Sequence, residues 1–462
     1  MACFKLEEII AVVGGRLSGG DPQLTVSGIC IDSRQVKRGD LFLALKGERF
    51  DGHQFLNEAV KAGAAALLVM EETGFDYGAP VIRTGDTLKA LGAIARWHRK
   101  KFKIPVIGIT GSNGKTTTKD LTASVLAAKY RVVKTEANYN NEIGLPLTLL
   151  RIDPQTEAVV VEMGMRGLGQ IQELASIAEP EIGVLTNIGQ AHLELLGSEA
   201  NIAKAKYELI EALPENGIAV INGDDPWMRR MPTPSRVTVF RYGLDHPGLD
   251  YRASIIKTLE SGTLIKVTGG GEEFEVRTPL PGRFNVYNTL AAIVCGRALG
   301  LSIPEIKAGL AHPTVTGHRL KIFTRNGLRI IDDTYNASPA SVKAALDVLS
   351  QMETKGRKIA VLADMLELGA AASQAHYEVG AYAGKGRIDY LLAYGDLAEN
   401  YAAGFNSITA GKAEYFSNKP DLIRKLKNMA QPGDAILVKG SRGMKMEEVV
   451  AVLAEEEALA HE

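Results

Sequence analysis

The chain has 462 residues, of which 45% are hydrophobic and 23% are charged, and its formal net charge is −1. This balance excludes a broad nucleic-acid-binding surface, and no stretch approaches the roughly 18 apolar residues of a membrane span. The three cysteines lie far apart without a C-x-x-C pair, which indicates a reducing compartment and no zinc site. Charged residues interrupt the apolar run at the start, unlike a signal peptide. We therefore expect a cytoplasmic protein.

The length predicts several domains. Residues 1–84 mix short β-like runs with one helical segment and form the first predicted domain. Residues 85–312 alternate strand and helix, which predicts a parallel sheet with helices on both faces, and residues 251–280 have the pattern of an antiparallel meander. Residues 313–462 alternate again and predict a Rossmann-like domain. The predicted fold class is α/β in three domains: a small N-terminal α/β domain, a central parallel-sheet domain and a C-terminal Rossmann-like domain.

A glycine-rich loop joins a predicted buried strand to a helix in the central domain, with the sequence GITGSNGKTTTKD at residues 108–120. The common phosphate loop is G-x-x-x-x-G-K-[ST], but Ile109 stands where its first glycine would be. Backbone N–H groups and a helix N-terminus attract phosphate, Lys115 adds a positive charge, and the Thr116 hydroxyl could reach Mg²⁺. The alternative is a tight turn with an incidental lysine, which this strand and helix context disfavours. The predicted phosphate-binding residues are Gly111, Ser112, Asn113, Gly114, Lys115, Thr116 and Thr117.

Polar residues follow the next strands, at the sheet edge where ligands collect in open α/β sheets. Glu162 ends the strand in VVVEMG and could hold the Mg²⁺ that Thr116 touches; the alternative is a solvated strand-end carboxylate. His192 follows a third strand, although a lone histidine is more often a hydrogen-bonded structural residue. Asn138 and Asn141 lie in EANYNNEIGLP, which could also be a turn-rich loop.

Further candidates lie near the end of the central domain and in the third domain. Asn285 and Asn288 share one face of a helix, where their amides could pair with a base, although helix capping explains Asn285 equally well. Arg319 precedes a strand and suits a γ-phosphate, and Asp333 ends a strand and suits ribose hydroxyls. Taken singly, either residue could be an ordinary surface or strand-end charge.

Together these motifs resemble the Mur ligase family, the ATP-dependent peptide-forming enzymes of cell-wall precursor synthesis. The resemblance covers essentially the whole chain and rests on the shortened loop G-x-N-G-K-[ST], NYNNEIGLP, GRFNVYN and GHRL. One departure is the extra His318 in TGHRL, where relatives often have G-R-[LM]. The shortened phosphate loop is itself the form found in this family.

Within the family, DDTYNASPAS, ADMLELG and VKGSRGMKME resemble the member that adds D-alanyl-D-alanine to UDP-N-acetylmuramoyl-tripeptide. The tripeptide-forming ligase would carry DYAHTPD and a D-N-P-R segment, which this sequence lacks. The resemblance implies ATP and Mg²⁺ as cofactors, an acyl-phosphate intermediate, both peptides as substrates, and a monomer that functions in peptidoglycan synthesis. It does not indicate whether the third peptide residue is diaminopimelate or lysine.

Two alternatives remain for the function. One is another ligase of this type, either the tripeptide-forming enzyme or a folylpolyglutamate synthetase. The N-terminal segment DSRQVKRGDLFLALKGERFDGHQF resembles the UDP-binding domain that the two UDP-dependent ligases share, and it argues against the folylpolyglutamate synthetase. The other is a non-catalytic nucleotide-binding switch. A GTP-binding switch would need an N-K-x-D motif, and TNIG does not supply one.

The resemblance also implies roles for individual residues. In the family, the lysine of an A-K-x-x-[IL] helix is carbamylated by CO₂, and the matching candidate is Lys206, with Lys204 the alternative. The implied catalytic residues are Lys115, Glu162, His192 and Lys206, and the implied metal ligands are Thr116, Glu162, His192 and Lys206 as its carbamate. The implied ATP contacts are the phosphate loop, Asn285, Asn288, Arg319, Asp333, Tyr335 and Asn336. The implied contacts to the UDP-muropeptide are Ser33, Arg34, Lys46, Gly47, Asn138 and Asn141.

Overall fold

The structure is a computed structural model that describes residues 3–47, 50–70, 77–259, 262–409 and 412–455. Three α/β regions follow one another along the chain, each with its own sheet, and this confirms the predicted fold class. Among the described helices, none combines the length and the apolar character needed to cross a bilayer.

The N-terminal region contains a small, mostly parallel sheet. Its strands are β1 (Phe4–Lys5), β2 (Arg16–Ser18), β3 (Thr25–Val26), β4 (Ile29–Cys30), β5 (Leu41–Leu43), β6 (Ala66–Val69) and β7 (Val81–Arg83), and its helices are α1 (Leu6–Val13) and α2 (Leu56–Ala62). The sheet has the order β2-β7-β6-β5-β4, in which only the β2–β7 pairing is antiparallel, and β1 pairs separately with β3. The apolar N-terminal run forms α1, whose Leu6 and Ile9 are buried.

The central region contains a large sheet with helices on both faces. Its helices are α3 (Thr87–Lys100), α4 (Lys115–Leu126), α5 (Gly144–Leu149), α6 (Gln170–Ala178), α7 (Leu193–Leu196), α8 (Glu199–Glu211), α9 (Pro226–Arg230), α10 (Arg283–Ala298) and α11 (Ile303–Ala311). Its strands are β8 (Val106–Thr110), β9 (Val132–Lys134), β10 (Ala158–Glu162), β11 (Ile182–Leu185), β12 (Ile218–Asn222), β13 (Thr238–Gly243), β14 (Tyr251–Leu259), β15 (Gly262–Gly269) and β16 (Glu272–Thr278). The sheet order is β16-β15-β14-β13-β12-β11-β8-β10-β9. Strands β8 to β14 are parallel, and β14, β15 and β16 form the predicted antiparallel meander.

The continuous apolar runs of the central strands are explained by burial on both faces of the sheet. Ala158 and Val160 of β10 belong to the core that includes α4 and α10, whereas Val159 and Val161 belong to the opposite core with α6 and α8. Because successive strand residues point to opposite faces, both sets must be apolar. This double burial fixes the strand and holds Glu162 at its carboxyl end.

The C-terminal region is a second open sheet with helices on both faces. Its strands are β17 (Lys321–Arg325), β18 (Leu328–Asp333), β19 (Lys358–Ala363), β20 (Tyr390–Tyr394), β21 (Ala413–Phe416) and β22 (Ala435–Lys439), and its helices are α12 (Pro339–Gln351), α13 (Ala372–Lys385), α14 (Glu399–Asn406), α15 (Lys419–Met429) and α16 (Glu447–Ala454). The order is β17-β18-β22-β19-β20-β21, and only the β17–β18 pairing is antiparallel. This is the predicted Rossmann-like arrangement.

The helix α3 connects the first two regions. Its Leu91 and Ile94 are buried in the N-terminal core, and Ala95 belongs to a core of the central region. A helix shared in this way joins the two regions firmly. The predicted domain boundaries after residues 84 and 312 stay predictions.

Candidate active site

The three regions together line a cleft of about 1500 Å³. Asp32 and Gln35 line it from the N-terminal region, the phosphate loop from the central region, and Arg319 and Asp333 from the C-terminal region. The cleft lies beyond the carboxyl ends of β8, β10 and β11, the edge at which open α/β sheets bind ligands.

The shortened loop has the geometry that its sequence predicts. β8 ends at Thr110, and α4 begins at Lys115 after Gly114, whose φ of 81° lies in the left-handed region. A Cβ atom on Gly114 would lie 2.5 Å from Asn288 Oδ1, and one on Gly111 would clash with the side chain of Thr186. Both positions therefore require glycine, because the loop is pressed against neighbouring elements.

Residues after β11 hold the loop in shape, and sequence reasoning missed most of them. Asn113 N donates to Asn187 Oδ1 at 2.9 Å, and Thr186 Oγ1 donates to Asn113 O at 2.7 Å. Gly189 N donates to Ser112 Oγ at 2.8 Å. The strand-end rule that selected Glu162 also applies to Thr186, since Glu162 ends one buried parallel strand and Thr186 directly follows another.

The centre of the loop region connects a lysine, a hydroxyl and a carboxylate. Lys115 Nζ donates to Gly111 O at 2.7 Å, so the ammonium lies over its own loop. Thr116 Oγ1 donates to Glu162 Oε2 at 2.7 Å, and Asn140 Nδ2 donates to Glu162 Oε1 at 2.8 Å. Glu162 is only 2% exposed. Asn140 was not predicted, although it lies between the two asparagines that were.

The donor set at Glu162 suits a hard cation. Mg²⁺ prefers oxygen ligands and is bound by few protein groups, and the Thr116 hydroxyl and the Glu162 carboxylate already lie in contact. Within the part of the chain that the structure describes, no group of three or more His, Cys, Asp or Glu side chains is placed to hold a metal. The predicted set is compatible with this finding, because it contains only Glu162 and His192 of those residue types.

Three basic side chains crowd the same part of the cleft. Burial lowers the pKa of Lys115, with the Glu162 carboxylate opposing this shift. Burial also lowers the pKa of His192, and the charges of Lys115 and Lys206 add to that effect. The Nδ1 atom of His192 lies 2.8 Å from Glu367 Oε2 of the C-terminal region, outside hydrogen-bonding geometry.

The two candidate lysines of α8 differ sharply in environment. Lys206 is 2% exposed and lines the cleft, whereas Lys204 is exposed to solvent. Burial, followed by the charge of Lys115, lowers the pKa of Lys206 well below its ordinary value. Lys206 makes no hydrogen bond or ion pair with any residue that the structure describes. A buried amine in this state favours its neutral form.

The C-terminal region brings its predicted residues to the cleft and contacts the loop directly. The guanidinium of Arg319 lies 3.9 Å from the ring centroid of Tyr335. Asp333 Oδ2 accepts from Lys439 Nζ at 2.5 Å, and the same amine donates to Asn336 O at 2.8 Å. Lys439 was not predicted, although it ends β22 as Asp333 ends β18.

One hydroxyl group links the C-terminal region to the phosphate loop. Ser338 Oγ, at the N-cap of α12, donates to Asn113 Oδ1 at 2.9 Å. Sequence reasoning missed this contact, because the two residues are 225 positions apart. The two regions therefore meet at the loop.

The asparagine pair of α10 is bonded within the protein. Asn285 Nδ2 donates to Pro281 O at 2.7 Å, and Asn288 Nδ2 donates to Asn285 Oδ1 at 3.0 Å. Asn288 Oδ1 accepts from Thr118 Oγ1 at 3.2 Å. The N-cap of α10 is Gly282, so Asn285 stands inside the first turn. The pair lines the cleft, and base pairing by these amides stays a prediction.

The predicted substrate contacts divide into two groups. Asn138 and Asn141 line the cleft, and Asn141 Oδ1 accepts from Gly144 N at 3.0 Å. The second group, from the N-terminal region, is not among the lining residues described for the cleft: Ser33, Arg34, Lys46 and Gly47.

Both basic residues of this second group are paired locally. The guanidinium of Arg34 makes two bonds of 2.9 Å to Asp32 and holds the pKa of that carboxyl well below its ordinary value. Lys46 Nζ lies 3.8 Å from Asp51 Oδ2. Asp32 itself lines the cleft, so Arg34 lies at the rim of the site.

Comparison with known proteins agrees with this geometry. Family models match three segments: the Mur ligase family, catalytic domain at residues 25–102, the Mur ligase middle domain at residues 109–296, and the Mur ligase, glutamate ligase domain at residues 318–442. The UDP-N-acetylmuramoyl-tripeptide–D-alanyl-D-alanine ligase of Bacillus subtilis is 40% identical over 460 residues, which cover 97% of this chain and 98% of that protein.

Solved structures give the same result. The crystal structure I of MurF from Acinetobacter baumannii superposes with a TM-score of 0.91 at 30% identity, covering 98% of this chain and 99% of that one. The MurF ligase from Thermotoga maritima, in complex with ADP, gives a TM-score of 0.82 at 31% identity, covering 93% and 97%. Fold and site thus define a phosphate-loop amide ligase of the ATP-dependent, ADP-forming type. The chain belongs to the Mur ligase family, as the sequence motifs predicted.

Proposed function

We propose that the protein joins D-alanyl-D-alanine to UDP-N-acetylmuramoyl-tripeptide and converts ATP to ADP and phosphate in peptidoglycan synthesis. The observation that carries the proposal is the cleft itself: a phosphate loop, a buried carboxylate and a buried unpaired lysine face one space lined by all three regions. The likeness to ligases of that name along 97% of the chain supports the same assignment.

The reaction needs two steps at the terminal carboxyl group of the tripeptide. The terminal carboxylate of the tripeptide attacks the γ-phosphorus of ATP, which forms an acyl phosphate and releases ADP. The amine of D-alanyl-D-alanine then attacks the acyl carbon, and phosphate leaves as the tetrahedral intermediate collapses. Little covalent chemistry falls to the protein, so positioning and stabilisation of spread negative charge supply most of the catalysis.

Lys115 is the proposed cation at the transferring phosphoryl group. In the structure its ammonium bonds to Gly111 O and lies 3.4 Å from Ser112 O, so it is already held above the loop. The backbone N–H groups of residues 111–117 and the N-terminus of α4 add partial positive charge. These groups act together on the γ-phosphate, where charge spreads in the transition state.

Thr116, Glu162 and His192 are the proposed protein ligands of Mg²⁺. The bound ion would neutralise charge on the phosphate oxygens. What the chain itself contributes is placement: Asn140 and Thr116 hold both oxygens of Glu162, and the Thr135 hydroxyl accepts from the Glu162 backbone N–H at 3.0 Å.

Lys206 is proposed to act as a carbamate. An unmodified ammonium beside Lys115 and His192 would repel a metal ion, whereas carbamylation replaces that charge with a negative one. CO₂ reacts with a neutral amine, and burial of Lys206 favours the neutral form. The exposed Lys204 lacks that environment.

The remaining proposed ligand contacts come from all three regions. Arg319, Asp333, Tyr335 and Asn336 are proposed to bind ATP from the C-terminal region, with Asn285 and Asn288 on the central side. Ser33 and Arg34 are proposed to bind the uridine diphosphate, and Lys46, Gly47, Asn138 and Asn141 the muropeptide. A monomeric enzyme in the cytoplasm also stays a proposal.

The decisive experiment is ADP release by the purified protein. ADP should accumulate only when UDP-tripeptide and D-alanyl-D-alanine are both present, and each omission is its own control. Release that depends on neither peptide would indicate a nucleotide switch. Release with a free amino acid in place of the dipeptide would indicate another ligase of this family. Tripeptides ending in diaminopimelate and in lysine should be compared, because the sequence does not indicate the third residue.

A further inference from the structure

The first half of the linker between α11 and β17 is bonded to the central region. Thr316 N donates to Asp120 Oδ2 at 2.7 Å, and Thr316 Oγ1 donates to Asp120 Oδ1 at 3.1 Å. Lys134 Nζ bonds to the same carboxylate at 2.6 Å and to Thr314 O at 3.1 Å. Asp120 belongs to α4 and is fully buried, so the linker is fixed to the helix that carries the phosphate loop.

The second half of the linker is held by the C-terminal region. His318 Nδ1 lies 2.5 Å from Asp332 Oδ2, and His318 O accepts from Tyr335 N at 3.2 Å. Leu320 N donates to Asp333 Oδ1 at 3.2 Å. These bonds tie the residues after position 317 to β18 and the loop that follows it.

Gly317 alone separates the two anchored halves. Its φ is 81°, and a Cβ atom there would meet only Tyr335, at 3.7 Å. Its N–H and C=O groups make no hydrogen bond to the described residues. A glycine in open space between two fixed neighbours is the position where backbone rotation meets least resistance.

We propose that Gly317 is the pivot between the central and C-terminal regions, and that Asp120 is a positioning residue that fixes the linker to the phosphate-loop helix. The proposal rests on the proposed function for the reaction that it serves. Arg319 lies two residues beyond the pivot, so the anchored linker sets where this arginine enters the cleft relative to Lys115. Ser338, which bonds to Asn113, moves with the same region.

A chain of polar contacts connects the anchor to the proposed metal ligand. Lys119 Nζ lies 3.3 Å from Asp120 Oδ1 and donates to Thr135 O at 2.8 Å. The Thr135 hydroxyl in turn accepts from Glu162 N. Glu162, α4 and the linker therefore form one connected unit, and the C-terminal region rotates against it at a single residue.

The test compares Asp120→Asn with the wild type in three measurements. Asparagine keeps the shape of the side chain but removes its charge and one acceptor oxygen. Spin labels on ketone-bearing amino acids at positions 211 of α8 and 378 of α13, both exposed, report the distance between the regions without using the native cysteines. Binding of a fluorescent ADP analogue reports the phosphate loop, and kcat and KM report ligation.

With a non-hydrolysable ATP analogue and UDP-tripeptide, the wild type should give one narrow distance distribution. Asp120→Asn should broaden it and lower kcat about tenfold to a hundredfold, since small misplacements of aligned groups have effects of that size. ADP affinity should be unchanged. A narrow distribution in the variant would overturn the proposal, and so would loss of ADP binding, because Asp120 would then act on the loop itself.

Gly317→Ala keeps the proposal testable if Asp120→Asn does not fold. Its matched control is Gly300→Ala, a glycine with φ of 74° and open space beside it, outside the linker. The Gly317 variant should shift the distance and slow ligation, and the Gly300 variant should do neither. Equal distances and equal ligation rates in the two variants would contradict the proposal that Gly317 is the pivot. If the wild type does not ligate the peptides but the distances respond as stated, the proposed function fails and the pivot stands.

Discussion

The central region holds its polar groups in a fixed network, whereas the N-terminal region leaves its proposed ligands near the surface. Glu162 is buried with both carboxylate oxygens bonded. The side chain of Arg34 is 86% exposed and folds back onto Asp32. A rigid site suits phosphoryl transfer, in which donors must stand ready where charge develops. A looser rim suits the capture of a large substrate whose binding orders the side chains around it.

The first prediction concerns the most rigid part of the site. Lys115→Ala should lower kcat by roughly a hundredfold to a thousandfold, because it removes a full charge aimed at the transferring phosphoryl group. Binding of UDP-tripeptide, measured by calorimetry, should persist. Lys129→Ala, an exposed lysine just after α4, is the control and should retain activity. Near-normal turnover of the Lys115 variant would contradict the claim that the rigid centre of the site, unlike its adaptable rim, supplies the catalysis.

The second prediction separates the two lysines of α8. Lys206→Ala should be nearly inactive and partly rescued by short-chain carboxylates, whereas Lys204→Ala should retain activity. Because the pKa of Lys206 is lowered, its neutral form is present at lower pH than for an exposed lysine. ¹³C-bicarbonate should therefore give a carbamate NMR signal near neutral pH in the wild type and in the Lys204 variant. A fully active Lys206 variant would rule out a functional carbamate.

The third prediction addresses the metal ligands. Glu162→Gln and His192→Ala should each need at least about tenfold more Mg²⁺ for half-maximal rate, because loss of even an outer-shell partner of a metal ligand lowers metal affinity about tenfold to a hundredfold. Binding of Mn²⁺ in the presence of ADP, followed by electron paramagnetic resonance, checks this without turnover. Glu194→Gln, a neighbouring exposed carboxylate, is the control. Unchanged metal dependence in both variants would exclude this pair.

The smallest effect is expected at the rim. Arg34→Ala should raise KM for the UDP-substrate only a few-fold and leave KM for ATP unchanged, because exposed charge pairs contribute little. The expected effect is small because the guanidinium must give up its bonds to Asp32 to reach a diphosphate. Losing those bonds offsets part of the free energy gained by binding the diphosphate. Arg16→Ala, on the exposed strand β2, is the matched control. An equal rise of both KM values would indicate that Arg34 acts on the cleft as a whole.

Local backbone rules made much of the centre predictable from the sequence. Gly114, Lys115 and Thr116 are placed by the strand-to-helix turn, and Glu162 by the end of a buried strand. Contacts between distant segments could not be predicted in the same way. Ser338 meets Asn113 only because the C-terminal region folds over the loop, and no local pattern encodes that approach.

The rim illustrates the same limit on the substrate side. The family resemblance implies that Arg34 contacts the UDP-substrate, but it does not predict that this guanidinium bonds to Asp32 in the free protein. Side-chain pairing at an exposed turn depends on small energy differences. The family resemblance supplied these residues, and spacing alone would not have selected them.

Isotope transfer tests the acyl-phosphate route itself, because this intermediate moves an oxygen atom from the tripeptide to phosphate. UDP-tripeptide labelled with ¹⁸O in its terminal carboxylate is incubated with ATP and D-alanyl-D-alanine, and the released phosphate is analysed by mass spectrometry. If the acyl phosphate forms, ¹⁸O appears in phosphate in step with ligated product, and none appears when the dipeptide and the protein are omitted. Ligation that releases unlabelled phosphate would contradict the acyl-phosphate route.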